Sequence, residues 1–181
     1  MPPADVPRRV LVAGTSGSGK STLARRIAEA SGARYQEIDA LFHGPDWTPR
    51  PTFEADVDAF TSGDMWVIEW QYGLVRDLLA ARADTLVFLD YRRSLVMSRV
   101  VRRTVRRRVR REELWNGNRE APLATIFTDR DHIVRWAWRT HSGHAAQVAR
   151  AAAANPGLRV VRLRSPKAAE RWLAGTFPGE A

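Results

Sequence analysis

Short apolar runs recur along this chain at the intervals expected of strands alternating with helices. Val10-Leu11-Val12 opens the series. Arg34 to Ile38 predicts a short second strand that ends at Asp39, after Gly32 closes the first helix. Trp66 to Trp70 predicts a third strand, Thr85 to Asp90 a fourth and Leu158 to Leu163 a fifth. Their near-continuous Val, Ile and Leu content suits a parallel sheet covered on both faces. Between them, helical spacing runs from Thr22, through Phe53 to Phe60, and through Leu74 to Ala83, where Leu74, Val75, Leu78 and Leu79 share a face. It resumes over Leu95 to Arg111, and over His132 to Ala154 with a break near Ser142-Gly143. Ser165-Pro166 opens a last helix, with serine as cap and proline in the first turn. The pattern predicts a doubly wound α/β domain, whose ligands collect at the carboxyl ends of the strands.

The first strand leads into Gly14-Thr15-Ser16-Gly17-Ser18-Gly19-Lys20-Ser21-Thr22, which fills every fixed position of the phosphate-loop pattern G-x-x-x-x-G-K-[ST]. A triphosphate is wrapped by backbone amides only where side chains do not hold it off, and Gly14, Gly17 and Gly19 leave that space. The next helix adds unpaired N–H groups and the positive end of its dipole. In this pattern Lys20 bridges the β- and γ-phosphates and the Ser21 hydroxyl ligates Mg²⁺. Of the 29 lysines and arginines only Lys20 and Lys167 are lysine, so lysine stands where a point charge is needed. ATP and Mg²⁺ are the expected cofactors.

A chain of 181 residues is long enough for one three-layer core, and the expectation is a single domain over 1–181 with a lid insertion at about 92–130. Cysteine is absent, which excludes disulfides and thiolate chemistry and fits a reducing compartment. No apolar run reaches the roughly 20 residues of a membrane span, and residues 1–7 lack the apolar segment of a signal peptide, so a cytoplasmic protein without a membrane partner is expected. The formal charge of +9 raises the possibility of a nucleic-acid partner, but ten arginines fall between Arg92 and Arg111, beside the expected nucleotide site.

Three carboxylates, Asp39, Glu69 and Asp90, end or nearly end predicted strands, which places them near the phosphate loop. Asp39 and Glu69 are candidates for holding the metal's water or activating an acceptor, with Ser21 and Asp39 as the metal set. Asp90 has an equal reading as a helix cap. In the arginine segment Met97, Val101, Val105 and Val109 recur every four residues as an apolar stripe, with Arg99, Arg102, Arg103, Arg106 and Arg110 on other faces. Only Glu112 and Glu113 lie near to neutralise them, so a lid that closes on the transferring phosphoryl group has arginines to spare. Arg99, Arg103 and Arg106 are the candidates. The following Leu114-Trp115-Asn116-Gly117-Asn118 carries an Asn-Gly turn that either touches a ligand or caps the helix. Trp136 and Trp138 read as core and His141 as surface. His43, His132 and His144 show no metal-ligand spacing and receive no role.

The chain resembles the P-loop kinases of the nucleoside-monophosphate kinase group, and within it the adenylate kinase-like DNA topology modulation proteins often labelled AAA-family ATPases. The residues carrying this resemblance are the loop, Ile38-Asp39-Ala40 with Trp47, Trp66-Val67-Ile68, Ala83 to Asp90, Arg99 to Arg103, and Glu113-Leu114-Trp115-Asn116-Gly117-Asn118-Arg119-Glu120. It implies a three-layer α/β/α P-loop fold, a five-stranded parallel sheet in order 2-3-1-4-5, an ATP·Mg²⁺ site on the loop and an arginine-bearing lid. One departure stands out: relatives commonly end the third strand in Asp-Gly-Asn-Tyr, where this chain has Glu69-Trp70-Gln71-Tyr72. A tryptophan there is expected to fill space that a small acceptor occupies, so monophosphate specificity is not carried over.

Two functions follow. One is an ATP- and Mg²⁺-dependent phosphotransferase acting on a small-molecule acceptor. The other is a nucleotide-dependent regulator or nucleic-acid-binding ATPase that grips a phosphodiester backbone with the arginine segment. A GTPase is disfavoured because neither lysine lies in an Asn-Lys-x-Asp context, and the ring-forming ATPases because Leu89-Asp90-Tyr91 lacks their second acid.

Overall fold

The computed structural model describes residues 6–110, 112–118 and 132–178. Five strands, β1 (Arg9–Gly14), β2 (Arg34–Gln36), β3 (Trp66–Glu69), β4 (Thr85–Leu89) and β5 (Arg159–Leu163), form one sheet in the order β2-β3-β1-β4-β5. Every pairing is parallel. Val12 of β1 lies opposite Glu69 of β3 and Val87 of β4, so the chain leaving β1 emerges in the crevice between two strand ends where the strand order reverses.

The connections are α1 (Lys20–Ser31), α2 (Ile38–Phe42), α3 (Phe53–Thr61), α4 (Arg76–Arg82), α5 (Arg93–Arg110), α6 (Ile133–Thr140) and α7 (Gly143–Ala154), and α8 (Pro166–Thr176) follows the last strand. Alternate residues of β1 feed opposite layers, as the twofold period of a strand requires. Val10 and Val12 pack with Leu23 and Ile27 of α1, Val96 and Val100 of α5, Ala137 of α6 and Leu173 of α8. Leu11 and Ala13 pack with Phe53 and Val57 of α3, Leu79 of α4 and Val148 of α7. The result is the expected three-layer α/β/α arrangement, with the sheet order that the resemblance implied.

Four sequence expectations change. The second strand stops at Gln36, because the Ile38 N–H donates to the Glu69 carboxylate (2.9 Å) and the chain turns there into α2. Asp39 therefore stands in the first turn of a helix. Leu74 is exposed: Tyr72 takes a left-handed turn (φ 58°), and α4 begins only at Arg76, with Val75 and Leu79 turned inward. On α5 the buried stripe is Val96, Val100 and Thr104, whereas Val101, Val105 and Val109 face solvent. Trp136 (47% exposed) and Trp138 (55%) are not core; the small Ala137 between them is the residue that α6 buries. Their rings lie under guanidinium groups instead, Trp138 beneath Arg93 at 4.8 Å and Trp136 beneath Arg139 at 5.6 Å. The expected break in the later helix and the Ser165 cap, which accepts the Ala168 N–H at 3.2 Å, are present. Residues 111 and 119–130 of the expected lid lie outside the described residues.

Candidate active site

The loop between β1 and α1 needs its glycines for measurable reasons. Gly14, Gly17 and Gly19 have φ of 151°, 84° and 97°, which L side chains rarely adopt. A Cβ on Gly14 would stand 2.7 Å from Ser18 Oγ, and one on Gly17 only 2.3 Å from Val100 Cγ2. Gly17 thus lets the loop rest directly on α5. Gly19 begins α1 with no side-chain cap, and the first turn holds no acid, so the positive end of the 12-residue helix is left for an anion. The Ser18 hydroxyl is buried without a partner at the same place. These features suit a polyphosphate.

Two of the three candidate arginines reach the loop. Arg99 donates to the Ser18 carbonyl (3.3 Å) and Arg103 to Ser16 Oγ (3.1 Å). They sit four residues apart on one face of α5, the face between the buried Val96-Val100-Thr104 stripe and solvent. Arg106 turns elsewhere; its Nε lies 3.3 Å from Glu112, and the side chain is largely exposed.

On the other side of the loop the two carboxylates differ in surroundings. Glu69 is buried at the end of β3, where it accepts from Tyr35 Oη (2.8 Å) and the Ile38 N–H (2.9 Å). Burial raises its pKa above the usual carboxylate range in spite of these bonds. Glu69 thus ties β2 and the start of α2 to β3. Asp39 is half-buried and accepts from Gln71 Nε2 and from Tyr72 Oη (2.5 Å), whose phenol also meets His43 Nε2 at 3.1 Å. Burial and the Asp39 charge together push the Tyr72 pKa upward. Lys20 sits between these groups. Burial lowers its pKa and Arg103 adds to that, while Asp39 and Glu69 oppose the shift.

His144, in the first turn of α7, also feels Lys20. Burial first, and then Lys20, Arg76 and His141, lower its pKa to about 4. Asp90 caps no helix; it pairs with Arg162 of β5 (2.6 Å). His141, expected at the surface, is half-buried with its ring 2.9 Å from the Tyr91 carbonyl. Trp70 does not project into open space; it is buried in the core with Ile68, Val75 and Leu79, and its indole N–H donates to the Arg76 carbonyl at 3.0 Å.

The sequence reading passed over Gln71, Tyr72, Tyr35, His43 and His144. Asp39 and Tyr72 are 33 residues apart, and only the pairing of strands brings them together. Their signal was the polar Gln71-Tyr72 directly after a strand end. Among the described residues no group of three or more His, Asp or Glu side chains is placed to hold a metal ion. None of the described helices is long and apolar enough to cross a membrane.

No family model and no curated protein sequence matches the chain. Solved structures do. A gluconokinase from Sinorhizobium meliloti 1021 superposes with a TM-score of 0.52 at 22% identity, covering 95% of this chain and 94% of its own. A shikimate kinase from Acinetobacter baumannii, in complex with shikimate, gives 0.51 at 18% identity over 94% and 91%. A shikimate kinase from Bacteroides thetaiotaomicron gives 0.50 at 13% identity over 93% and 95%. At these identities the likeness is one of fold: the chain has the architecture of the P-loop kinases.

Proposed function

We propose that this protein is an ATP- and Mg²⁺-dependent phosphotransferase acting on a small-molecule acceptor. The observation that carries the reading is the loop's setting, with Arg99 and Arg103 on one rim and Asp39 on the other, and Lys20 electrostatically joined to both sides. Gly14 to Thr22 would enclose the triphosphate, and Lys20 would sit at its β- and γ-phosphates. Ser21 would hold Mg²⁺ when bound, with Asp39 and Glu69 reached through its waters; the ion would supply neutralisation of phosphate charge. Asp39 faces the acceptor side and is suited to receive the acceptor's proton as the acceptor oxygen bonds to the γ-phosphorus and the bond to the leaving ADP oxygen breaks. Arg99 and Arg103 would stabilise charge on the transferring group. Arg106 would serve only if the segment carrying it, the proposed lid at about 92–130, moved.

The test is ATP-to-ADP conversion above background with a panel of nucleoside monophosphates and small hydroxylated metabolites, gluconate and shikimate among them because kinases of those acceptors share the fold. Lys20→Ala should lower turnover by at least about 100-fold. Full activity in that variant would remove the mechanism.

The outer face of α5 favours a second reading. Arg102, Arg106, Arg108 and Arg110 are exposed there together with Val101, Val105 and Val109, so the helix presents a basic surface away from the loop. A nucleotide-dependent nucleic-acid binder would show affinity that falls steeply with salt, and hydrolysis stimulated by the nucleic acid.

A further inference from the structure

The stretch Leu114 to Asn118 is the most particular of the sequence, and the nucleotide site does not account for it. It forms a single 3-10 turn in which Asn116 (φ 55°) and Gly117 (φ 82°) are left-handed. Leu114 N–H donates to the Asn118 carbonyl at 2.7 Å and closes it. Against it lies a second turn of the same build. There Gly44 N–H donates to the Thr48 carbonyl at 2.7 Å, and Asp46 (φ 53°) and Trp47 (φ 57°) are left-handed. Left-handed non-glycine residues persist only where their surroundings hold them.

Asn118 supplies that hold. Its side chain is buried, donates to the Gly44 carbonyl (2.8 Å) and to the Trp115 carbonyl (2.9 Å), and accepts the Trp47 N–H (2.9 Å). One planar group must therefore donate and accept at once, which asparagine does and neither aspartate nor leucine can. Asn116 adds a bond from its amide to the His43 carbonyl. The rings follow the backbone. Trp115 lies over His43 (centroids 6.0 Å, 24° apart) and edge-on to Trp47 (6.4 Å), and Arg107 of α5 sits 6.0 Å from the Trp115 centroid. His43 meets Tyr72 Oη, and Tyr72 Oη meets Asp39. A continuous path of contacts thus joins the 114–118 turn to the carboxylate on the acceptor side.

We propose that Asn118 is a positioning residue for phosphoryl transfer: its amide fastens the 114–118 turn to the 44–48 turn and, through His43 and Tyr72, fixes the direction of the Asp39 carboxylate. This rests on the phosphotransferase reading above. The 114–118 turn is thereby part of the acceptor side of the site, although none of its atoms is needed to touch the nucleotide. The carboxylate must point at the acceptor proton when the reacting atoms meet, so a loosened turn lowers the rate of the chemical step and leaves the nucleotide's own affinity alone.

The experiment compares the full-length wild type with Asn118→Ala and Asn118→Asp, all shown to be folded by thermal melting. MgATP turnover is measured with the best acceptor of the panel, or with water where none is better. In Asn118→Ala, kcat should fall about 10- to 100-fold with the KM for MgATP unchanged. Asn118→Asp keeps an oxygen for the Trp47 N–H but sets the other against the Gly44 and Trp115 carbonyls, so its kcat should fall at least as far as that of Asn118→Ala. Hydrogen exchange in residues 43–48 should be about tenfold faster in Asn118→Ala, with residues 14–22 unaffected. Faster exchange with unchanged kcat would overturn the proposal, since the turn would then be structural only. So would a rise in the KM for MgATP as large as the fall in kcat. A wild type that neither binds nor turns over MgATP would instead sink the phosphotransferase reading itself, and would show before any variant is made.

Discussion

The contact between Gly17 and Val100 makes the phosphate loop's dependence on α5 measurable. Adding one methyl at Gly17 places a carbon 2.3 Å from Val100 Cγ2, 3.1 Å from the Val96 carbonyl and 3.3 Å from the Val100 N–H. Two of those neighbours are backbone in a packed helix and cannot turn aside. Overpacking of this kind costs about 1–3 kcal/mol, and the left-handed backbone adds about 1–2 kcal/mol for any L side chain. Gly17→Ala should therefore destabilise the protein by about 2–5 kcal/mol and lower its melting temperature by about 5–20 °C. Gly19→Ala provides the contrast. Its backbone is equally left-handed, but the nearest atom to the added carbon is Arg99 Nη1 at 3.8 Å, so only the conformational cost of about 1–2 kcal/mol applies. Val100→Ala removes the closest obstacle, and in the Gly17→Ala background it should recover about 1–2 kcal/mol relative to the sum of the single changes. Urea unfolding of the wild type and the four variants measures all three quantities. Equal losses for Gly17→Ala and Gly19→Ala, or strict additivity of Gly17→Ala with Val100→Ala, would refute the claim that the loop is seated on α5.

Three further outcomes follow from the same geometry. Glu69→Gln keeps the volume but turns an amide toward groups that donate, Tyr35 Oη and the Ile38 N–H, and should cost about 1–3 kcal/mol in urea unfolding. The folded-state pKa of Glu69 is raised, so the native state holds its proton longer than the unfolded chain does; stability falls as pH rises from the unfolded value of 4.5 through the folded one, and Glu69→Gln should flatten that fall in melts taken across the range. His144 has the opposite sign: its folded pKa of about 4 lies below the unfolded 6.5, so its contribution is present above 6.5 and lost as pH drops toward 4. With solvent screening discounted, His144→Gln should remove about 1–2 kcal/mol of acid sensitivity in that window, and an unchanged pH profile would contradict the burial of its imidazole.

Much of this was legible in the residues. The phosphate loop and the alternation of strands and helices follow from local pattern, and the rule that ligands gather at strand ends brought Asp39, Glu69 and Asp90 under suspicion together. What separated the three was not local. Asp90 has a partner on β5 in Arg162, Glu69 has Tyr35 and Ile38 across β2, and Asp39 has Tyr72 after β3, all set by sheet order. The misread stripe on α5 has a specific cause. Apolar residues there come as adjacent pairs, Val96-Met97 and Val100-Val101, with Thr104-Val105 continuing them, so two stripes one residue apart both fit a helical period. Tertiary packing selects the stripe containing Val100, which meets β1, α1 and α6 in the core and Gly17 of the loop. Trp136 and Trp138 were misplaced for a related reason: hydrophobicity favours burial, but α6 approaches the core through Ala137, and two residues spaced one to either side of it cannot face inward with it.

Burial of the Val100 stripe also decides which arginines reach the loop. On a helix, residues three beyond Val96 and Val100 are Arg99 and Arg103, and burying the valines swings these two onto the loop, where they bond Ser18 and Ser16. Had the Val101 stripe been buried, α5 would be turned by about 100°, and Arg99 and Arg103 would no longer lie over the loop. The absence of a side chain on Gly17 is therefore more than room for phosphate. It allows α5 to sit with the Val100 stripe inward, the rotation that lays Arg99 and Arg103 over the loop and turns Arg106 toward Glu112.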